Sequence, residues 1–247
     1  MTDHDFLAAY INSFRFYFAN DIAGVKNLES RYLIVTDKYA QLLGFKSASE
    51  LHGLGDGDAL VSTAQFEKVF YQQDRIVEQS GTTLICLDNH FYSNGFDSYV
   101  FHKTPVINPR TRNILGVRLI ASKPLLLSPI RLAIDIPQVC KVNPQLVTVS
   151  YSAVSNFRLT SRQHLVLFLI LNGYSQGEIV QIFPLLQEHI SEPAVKDILR
   201  VLKIKLGVNT KKELINKATR NGLHTCVPVQ LMRQGSFILH DHEFKIK

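Results

Sequence analysis

The sequence predicts an α+β chain of two successive domains: an antiparallel sheet with flanking helices, then an all-α four-helix domain. Three observations predict it. Before residue 122, runs of β-branched and aromatic residues alternate with turn signals. Pro124, Pro129, Pro137 and Pro144 then crowd a short stretch where no long helix survives. After residue 158, helix-capping patterns recur, each beside a glycine or proline stop.

Composition sets the outer limits. The chain has 247 residues, 46% of them hydrophobic, which suffices for two cores when domains run roughly 100–150 residues. A formal net charge of +6 is compatible with a polyanionic partner, but the placement of the charge matters more than its sum. No apolar stretch approaches the roughly 20 residues a membrane span needs. The start, Met1-Thr2-Asp3-His4-Asp5, is acidic where a secretory signal is basic. The expectation is a cytoplasmic protein without a membrane partner. Cys86, Cys140 and Cys226 are scattered without C-x-x-C spacing, which argues against disulfides and zinc.

Within residues 1–122 the elements follow in order. Ile22 to Asn27 and Ile34 to Asp37 read as strands, and Lys38 to Phe45 as a helix. Phe66 to Gln79 has helical spacing and meets a stop at Gly81. Thr82–His90, Tyr99–Ile107 and Ile114–Ser122 read as three strands. Asn108-Pro109-Arg110-Thr111-Arg112-Asn113 supplies turn chemistry between the last two. Residues 123–157 read as a linker with one short helical piece.

Residues 158–223 are the most legible. Thr160-Ser161-Arg162-Gln163 is a capping box ahead of the apolar run Leu165 to Leu171, and Gly173 ends that helix. Ser175-Gln176-Gly177-Glu178 opens a second helix, which Pro184 closes. Ser191 caps a third, with Pro193 in its first turn. Val195, Ile198, Leu199, Leu202 and Leu206 form one apolar stripe along it, and Gly207 stops it. Thr210-Lys211-Lys212-Glu213 opens a fourth, which ends at Gly222. A short helix, a turn and a basic amphipathic helix have the order of a helix-turn-helix.

The surface of the third helix carries Lys196, Arg200, Lys203 and Lys205, with Asp197 the acid among them. Cations on one exposed helix face suit phosphate neutralisation, although a solvated basic face is common in any protein. In a helix-turn-helix the N-terminal residues of the recognition helix reach base edges. Here those are Glu192, Ala194, Lys196 and Asp197 behind the cap Ser191, with Arg200 one turn on. Lys203, Lys205, Lys211 and Arg162 are placed for phosphate. The expected partner is double-stranded DNA.

Residues 159–223 resemble the LuxR-type (GerE-type) helix-turn-helix. The likeness rests on Leu159-Thr160-x-Arg162, Val166-Leu167, Asn172-Gly173-Tyr174-Ser175, Glu178-Ile179, Ser191-x-x-x-Val195-Lys196, Lys205-Leu206-Gly207-Val208 and Glu213-Leu214. It implies a four-helix DNA-binding domain whose third helix enters the major groove and whose fourth helps pair two domains, hence a homodimer. The chain departs from the pattern at the turn between Glu178 and Ser191, which is longer. It also has Ala194, Ile198 and Gln163 where the family has threonine, histidine and glutamate.

Residues 1–122 resemble a PAS domain through Leu42-Leu43-Gly44-Phe45, Leu51-x-Gly53 and Gly116-Val117. The resemblance implies a cleft between sheet and helices that holds a small-molecule ligand or cofactor, or a dimerising role. No cofactor is expected from the residues. The 66–79 helix has no histidine for haem; His52, His90 and His102 read as surface or loop residues, and Cys86 lies in a strand. A small organic ligand and a protein–protein role both stay open. In the extension, residues 224–247, Val227 to Leu239 is apolar enough to pack back on the bundle. His240-Asp241-His242-Glu243 reads as a frayed polar terminus, not a metal site.

The expected function is a dimeric, sequence-specific transcription regulator whose activity an N-terminal PAS-like domain sets. The alternative is an adaptor whose helix-turn-helix no longer reads DNA, motivated by the longer turn and Ala194. No Gly-rich phosphate loop, Gly-x-Ser-x-Gly or His-Glu-x-x-His supports an enzyme.

Overall fold

The computed structural model describes residues 1–124, 152–232 and 234–239. Pro129, Pro137, Pro144, Cys140 and the His240–Glu243 stretch lie outside the described residues. The chain divides into two compact units, one of residues 1–126 and 234–247 and the other of residues 127–233.

The first unit is built on a six-stranded antiparallel sheet. Its strands are β1 (Ile22–Lys26), β2 (Tyr32–Val35), β3 (Leu84–Tyr92), β4 (Gly95–Ile107), β5 (Ile114–Ser122) and β6 (Gly235–Ile238), in the spatial order β2-β1-β5-β4-β3-β6. Strand alternation gives the sheet two packed faces. On one face α1 (Asp3–Tyr17) sets Phe14 against Ala23, Val25 and Val106. On the other, α2 (Asp37–Leu42), α3 (Glu67–Ser80) and tight 3₁₀ turns at 48–51, 56–58 and 62–66 cover Tyr99, Phe101, Val117 and Leu119. The strands and helices read from the sequence are present, with ends shifted by a few residues. The helix α1 was not anticipated, although Thr2 and Asp5 form a capping box at its start.

One glycine in this sheet is fixed by a close approach. A Cβ on Gly116 would lie 2.2 Å from the Lys26 carbonyl oxygen, where β5 runs beside β1.

The second unit is helical: α4 (Ser152–Asn156), α5 (Ser161–Leu171), α6 (Gln176–Leu185), α7 (Glu192–Leu206) and α8 (Lys211–Arg220). The capping boxes at Thr160, Ser175 and Thr210 all form. Gly207 ends α7 in the left-handed region at φ 61°, where a residue without Cβ meets no clash. Leu165 to Ile170 are buried without interruption, so α5 is the central helix. Val195, Leu199, Leu202 and Leu206 of α7 pack into the same core with Ile179, Ile182 and Phe183 of α6. Pro184 lies inside the last turn of α6 instead of ending it, and the helix stops one residue later. Gln187, at φ 60°, then redirects the chain.

The tail divides between the units. Leu231 packs on the helical core with the half-buried Val227, as expected of the apolar run. Residues 235–238 instead pair with β3 and complete the edge of the sheet. The expected return to the bundle thus holds for only part of the segment.

Gly116→Ala is expected to force β5 away from β1 and destabilise the sheet unit by about 2 kcal/mol. Urea unfolding followed by tyrosine fluorescence checks it; an unchanged midpoint would show that the strands can part there without cost.

Candidate nucleic-acid interface and candidate ligand pocket

Ser191 caps α7, its hydroxyl accepting from the Ala194 amide at 3.4 Å. With the apolar stripe buried, Glu192, Lys196, Asp197 and Arg200 are exposed, and Ala194 and Lys203 are half-buried. At 100° per residue, Lys196, Arg200 and Lys203 share one flank of the helix while Lys205 falls on the opposite side. Two of these cations have local partners. Lys196 Nζ is 3.0 Å from Glu192, and Arg200 Nε is 3.8 Å from Asp197. All four side chains are more than half exposed. Such pairs contribute roughly 0–1 kcal/mol, so a phosphate can take the cation.

Two residues expected at phosphate have structural partners. The Arg162 guanidinium donates to the His189 carbonyl and lies 5.6 Å from the Phe183 ring centroid. It therefore braces the lengthened turn between α6 and α7. Lys205 donates to the Arg158 carbonyl and to Gln163 Oε1, the latter at 2.8 Å, fastening the end of α7 to the start of α5. Gln163 thus serves both the capping box and this clamp. Lys211 and Lys212 are exposed in the first turn of α8. That turn carries the positive end of the helix dipole, where cations are locally unfavourable. Glu213 offsets them in part. Its carboxyl accepts from the Asn209 and Thr210 amides, and those bonds hold its pKa below the usual range.

The sheet unit contains a buried chain of charges that the sequence reading missed. Lys26 of β1 contacts Asp56 and lies 3.1 Å from Asp74 of α3. Lys103 of β4 reaches the other oxygen of Asp74 at 2.7 Å. Tyr32 donates to Asp56 at 2.6 Å, and the Tyr32 and Tyr39 hydroxyls are 3.1 Å apart. Every member except the partly shielded turn around Asp56 is under 6% exposed. Burial opposes the charge on Asp74, but Lys26 and Lys103 outweigh it and hold its pKa down at about 2. Burial likewise opposes the Lys26 cation, and Asp56 and Asp74 more than compensate, raising its pKa.

Lys26, Tyr39, Asp56 and Lys103 line a cavity of about 20 Å³ with Thr63, Phe70, Asp88, Tyr92 and Phe101, room for about one water-sized molecule. Burial raises the pKa of Asp88 to about 6, against the opposing effect of the Ser236 hydroxyl it accepts from. Thr63 Oγ1 has no hydrogen-bond partner among the described residues. His90 corrects the expectation of a surface histidine. It is fully buried in β3 among Phe66, Phe70 and Tyr92, neither ring nitrogen has a partner among the described residues, and burial lowers its pKa to about 3. His52 and His102 are exposed, as expected. The missed residues carried a signal. Lys26, Asp88, His90 and Lys103 stand in phase with inward-facing neighbours such as Cys86 and Phe101, so the alternation itself turns them inward.

The buried histidine makes a pH prediction. Its folded pKa lies below the ordinary 6.5, so its neutral form's contribution is complete above that value. It is lost as pH falls from there toward the folded value, at about 1.4 kcal/mol per pH unit. Asp88 works in the opposite sense: its pKa is raised, so its contribution is lost as pH rises from about 4 through 6. His90→Phe removes one arm and leaves the other. Its stability relative to the unaltered chain is expected to rise by roughly 2 kcal/mol between pH 7 and pH 5. Urea midpoints at the two pH values measure this, and a pH-independent difference would contradict a neutral buried imidazole.

The chain is similar along its length to solved structures of VqmA. It is 28% identical to the phage VqmA–DPO complex, covering 97% of this chain and 100% of that one, with a TM-score of 0.56. It is 26% identical to VqmA in a ligand–DNA complex from Vibrio cholerae, covering 94% and 96%, with a TM-score of 0.57. No protein-family model and no curated protein matches it. The likeness spans the sheet unit and the helical unit: the chain has the build of a LuxR-type regulator, a PAS-like domain followed by a LuxR-type helix-turn-helix.

Proposed function

We propose that the chain is a cytoplasmic, homodimeric transcription regulator that binds double-stranded DNA through α7. Its PAS-like domain takes a small molecule in the polar cavity and so sets DNA binding; the chain carries out no catalysis. The observation that carries this reading is the flank of exposed Lys196 and Arg200 and half-buried Lys203 on a helix whose apolar stripe is buried. The solved VqmA structures with ligand and DNA, and with DPO, support it.

In this reading the N-terminal turn of α7 meets base edges through Glu192, Ala194, Lys196 and Asp197, with Arg200 one turn on and Ser191 holding the helix start. Arg and Lys suit guanine, and Asp and Glu suit the cytosine amino group. Lys203, Lys211 and Lys212 neutralise phosphates. Arg162 and Lys205 act first as braces that keep α7 and the lengthened turn in place. Two such helices in a dimer face half-sites about 34 Å apart.

Lys196→Glu with Arg200→Glu is expected to abolish binding to fragments selected from genomic DNA, at least a hundredfold loss at moderate salt. Both side chains are exposed, so the circular dichroism spectrum and melting temperature should stay put. Titration by fluorescence anisotropy over a salt series checks both this and the steep salt slope of phosphate contacts. Equal binding by the double variant would refute DNA reading through this helix. A chain that retains no DNA at any salt would favour the adaptor.

A further inference from the structure

The cavity in the sheet unit holds about 20 Å³, too small for an organic ligand unless its walls part. Its floor is the sheet and its roof is α3 with the 62–66 turn, which contribute Phe70 and Thr63. At the sheet edge the roof is tied to the floor directly, by Ser62 to the Phe91 carbonyl at 3.0 Å, and through β6. The register sets Ser236 opposite Asp88 and Ile238 opposite Cys86. Leu239 N–H donates to the Ile85 carbonyl at 2.8 Å. By the alternation of an antiparallel ladder, the Asp88–Ser236 pair therefore lacks mutual backbone bonds, and its side chains approach closely. The Ser236 hydroxyl donates to Asp88 on the floor and accepts from Gln73 Nε2 of α3 at 2.7 Å. Ser62 of the roof donates to Gln234 Oε1 at 2.9 Å.

We propose that β6 is a releasable clasp: docked, it pins the roof to Asp88 over the small cavity; undocked, it lets the roof part from the sheet for a small polar ligand and frees the segment that follows the helical unit. The ligand clause rests on the function proposed above, whereas docking and release do not.

Three features favour release of β6. The strand is only four residues long and pairs on one side. Its bonds to the roof are made by neutral side chains, whereas Asp56 in the 56–58 turn is held by the ion pair to Lys26 and the bond from Tyr32. An occupant offering a donor to Asp88 would compete directly with the Ser236 hydroxyl. The cost of binding is thereby tied to the docking of a segment that lies beyond the helical unit in the chain.

The test compares the unaltered chain with Ser236→Ala, which removes the shared hydroxyl, and Phe237→Pro, which removes a backbone donor opposite Leu87. Amide exchange at Leu87 and Asn89, and alkylation of the buried Cys86 by iodoacetamide followed by peptide mapping, read docking without any ligand. Both rates should rise roughly tenfold in Ser236→Ala and further in Phe237→Pro, with exchange in the β4–β5 pairing unchanged as the internal control of folding. In the unaltered chain, Leu87 and Asn89 should already exchange faster than β4–β5 amides. Equal rates in all three proteins overturn the clasp. With DPO as probe, Phe237→Pro should associate faster than the unaltered chain; faster exchange and alkylation with an unchanged association rate would overturn the gating role. If DPO binds none of the three, the ligand reading fails while the exchange and alkylation rates still decide the clasp.

Discussion

The sheet unit depends on the balance of charge inside it. Lys26 and Lys103 come from strands β1 and β4, Asp74 from helix α3, and Asp56 from the 56–58 turn. A buried charge stripped of its partner costs about 3–5 kcal/mol. Any placement of α3 that moved Asp74 away from both lysines would incur that cost. Apolar packing alone is tolerant of such shifts, because hydrophobic contact has no direction. The charges supply the direction. They fix where the roof sits over the sheet, and the same geometry concentrates hydrogen-bonding capacity around the small void beside them.

The helical unit solves a different problem. α7 must bury one stripe firmly and leave the rest of its surface to solvent. Its stripe is narrow and regular, and the glycine and serine at its ends fix its length. Two cations are then assigned to holding it: Lys205 at its end and Arg162 across the turn before it. The remaining cations have only weak, exposed partners. The lysines at the start of α8 sit where the helix dipole disfavours them, a local cost that packing in this unit does not explain and a phosphate partner would.

Legibility in the sequence followed the range of the interactions. Capping boxes join residues three apart, so Thr160, Ser175 and Thr210 could be placed without knowing the fold. The same rule applied to Thr2 and Asp5, together with Phe6, Tyr10, Phe14 and Phe18 spaced four apart, would have found α1. Lys26 and Lys103 were visible as residues but not as a pair, because a charge in a strand is normally read as facing water. Their partners lie 48 and 29 residues away in Asp74, and only the closed sheet brings them together. β6 was less legible still. Its apolar character suggested packing, but the choice of β3 over the bundle is made by pairing across 148 residues between Asp88 and Ser236, which no local pattern encodes.

The charged core and the edge strand together explain how a closed protein can also be a receptive one. An apolar cavity of this size would collapse or stay dry, and nothing in it would favour a polar guest. Here the walls already carry paired charges, and beside them the Thr63 hydroxyl has no hydrogen-bond partner among the described residues. A guest that matches them gains charge-assisted bonds in a place where water is excluded and such bonds are strong. The energy to part the walls need not come from breaking the ion pairs, since the edge is fastened by two hydroxyls and two amide side chains. The strong interactions hold the site in shape, and the weak ones at its rim set the cost of access. Because the rim is made by a segment following the DNA-binding helices in the chain, that cost is also the most direct route by which an occupied cavity could bear on them.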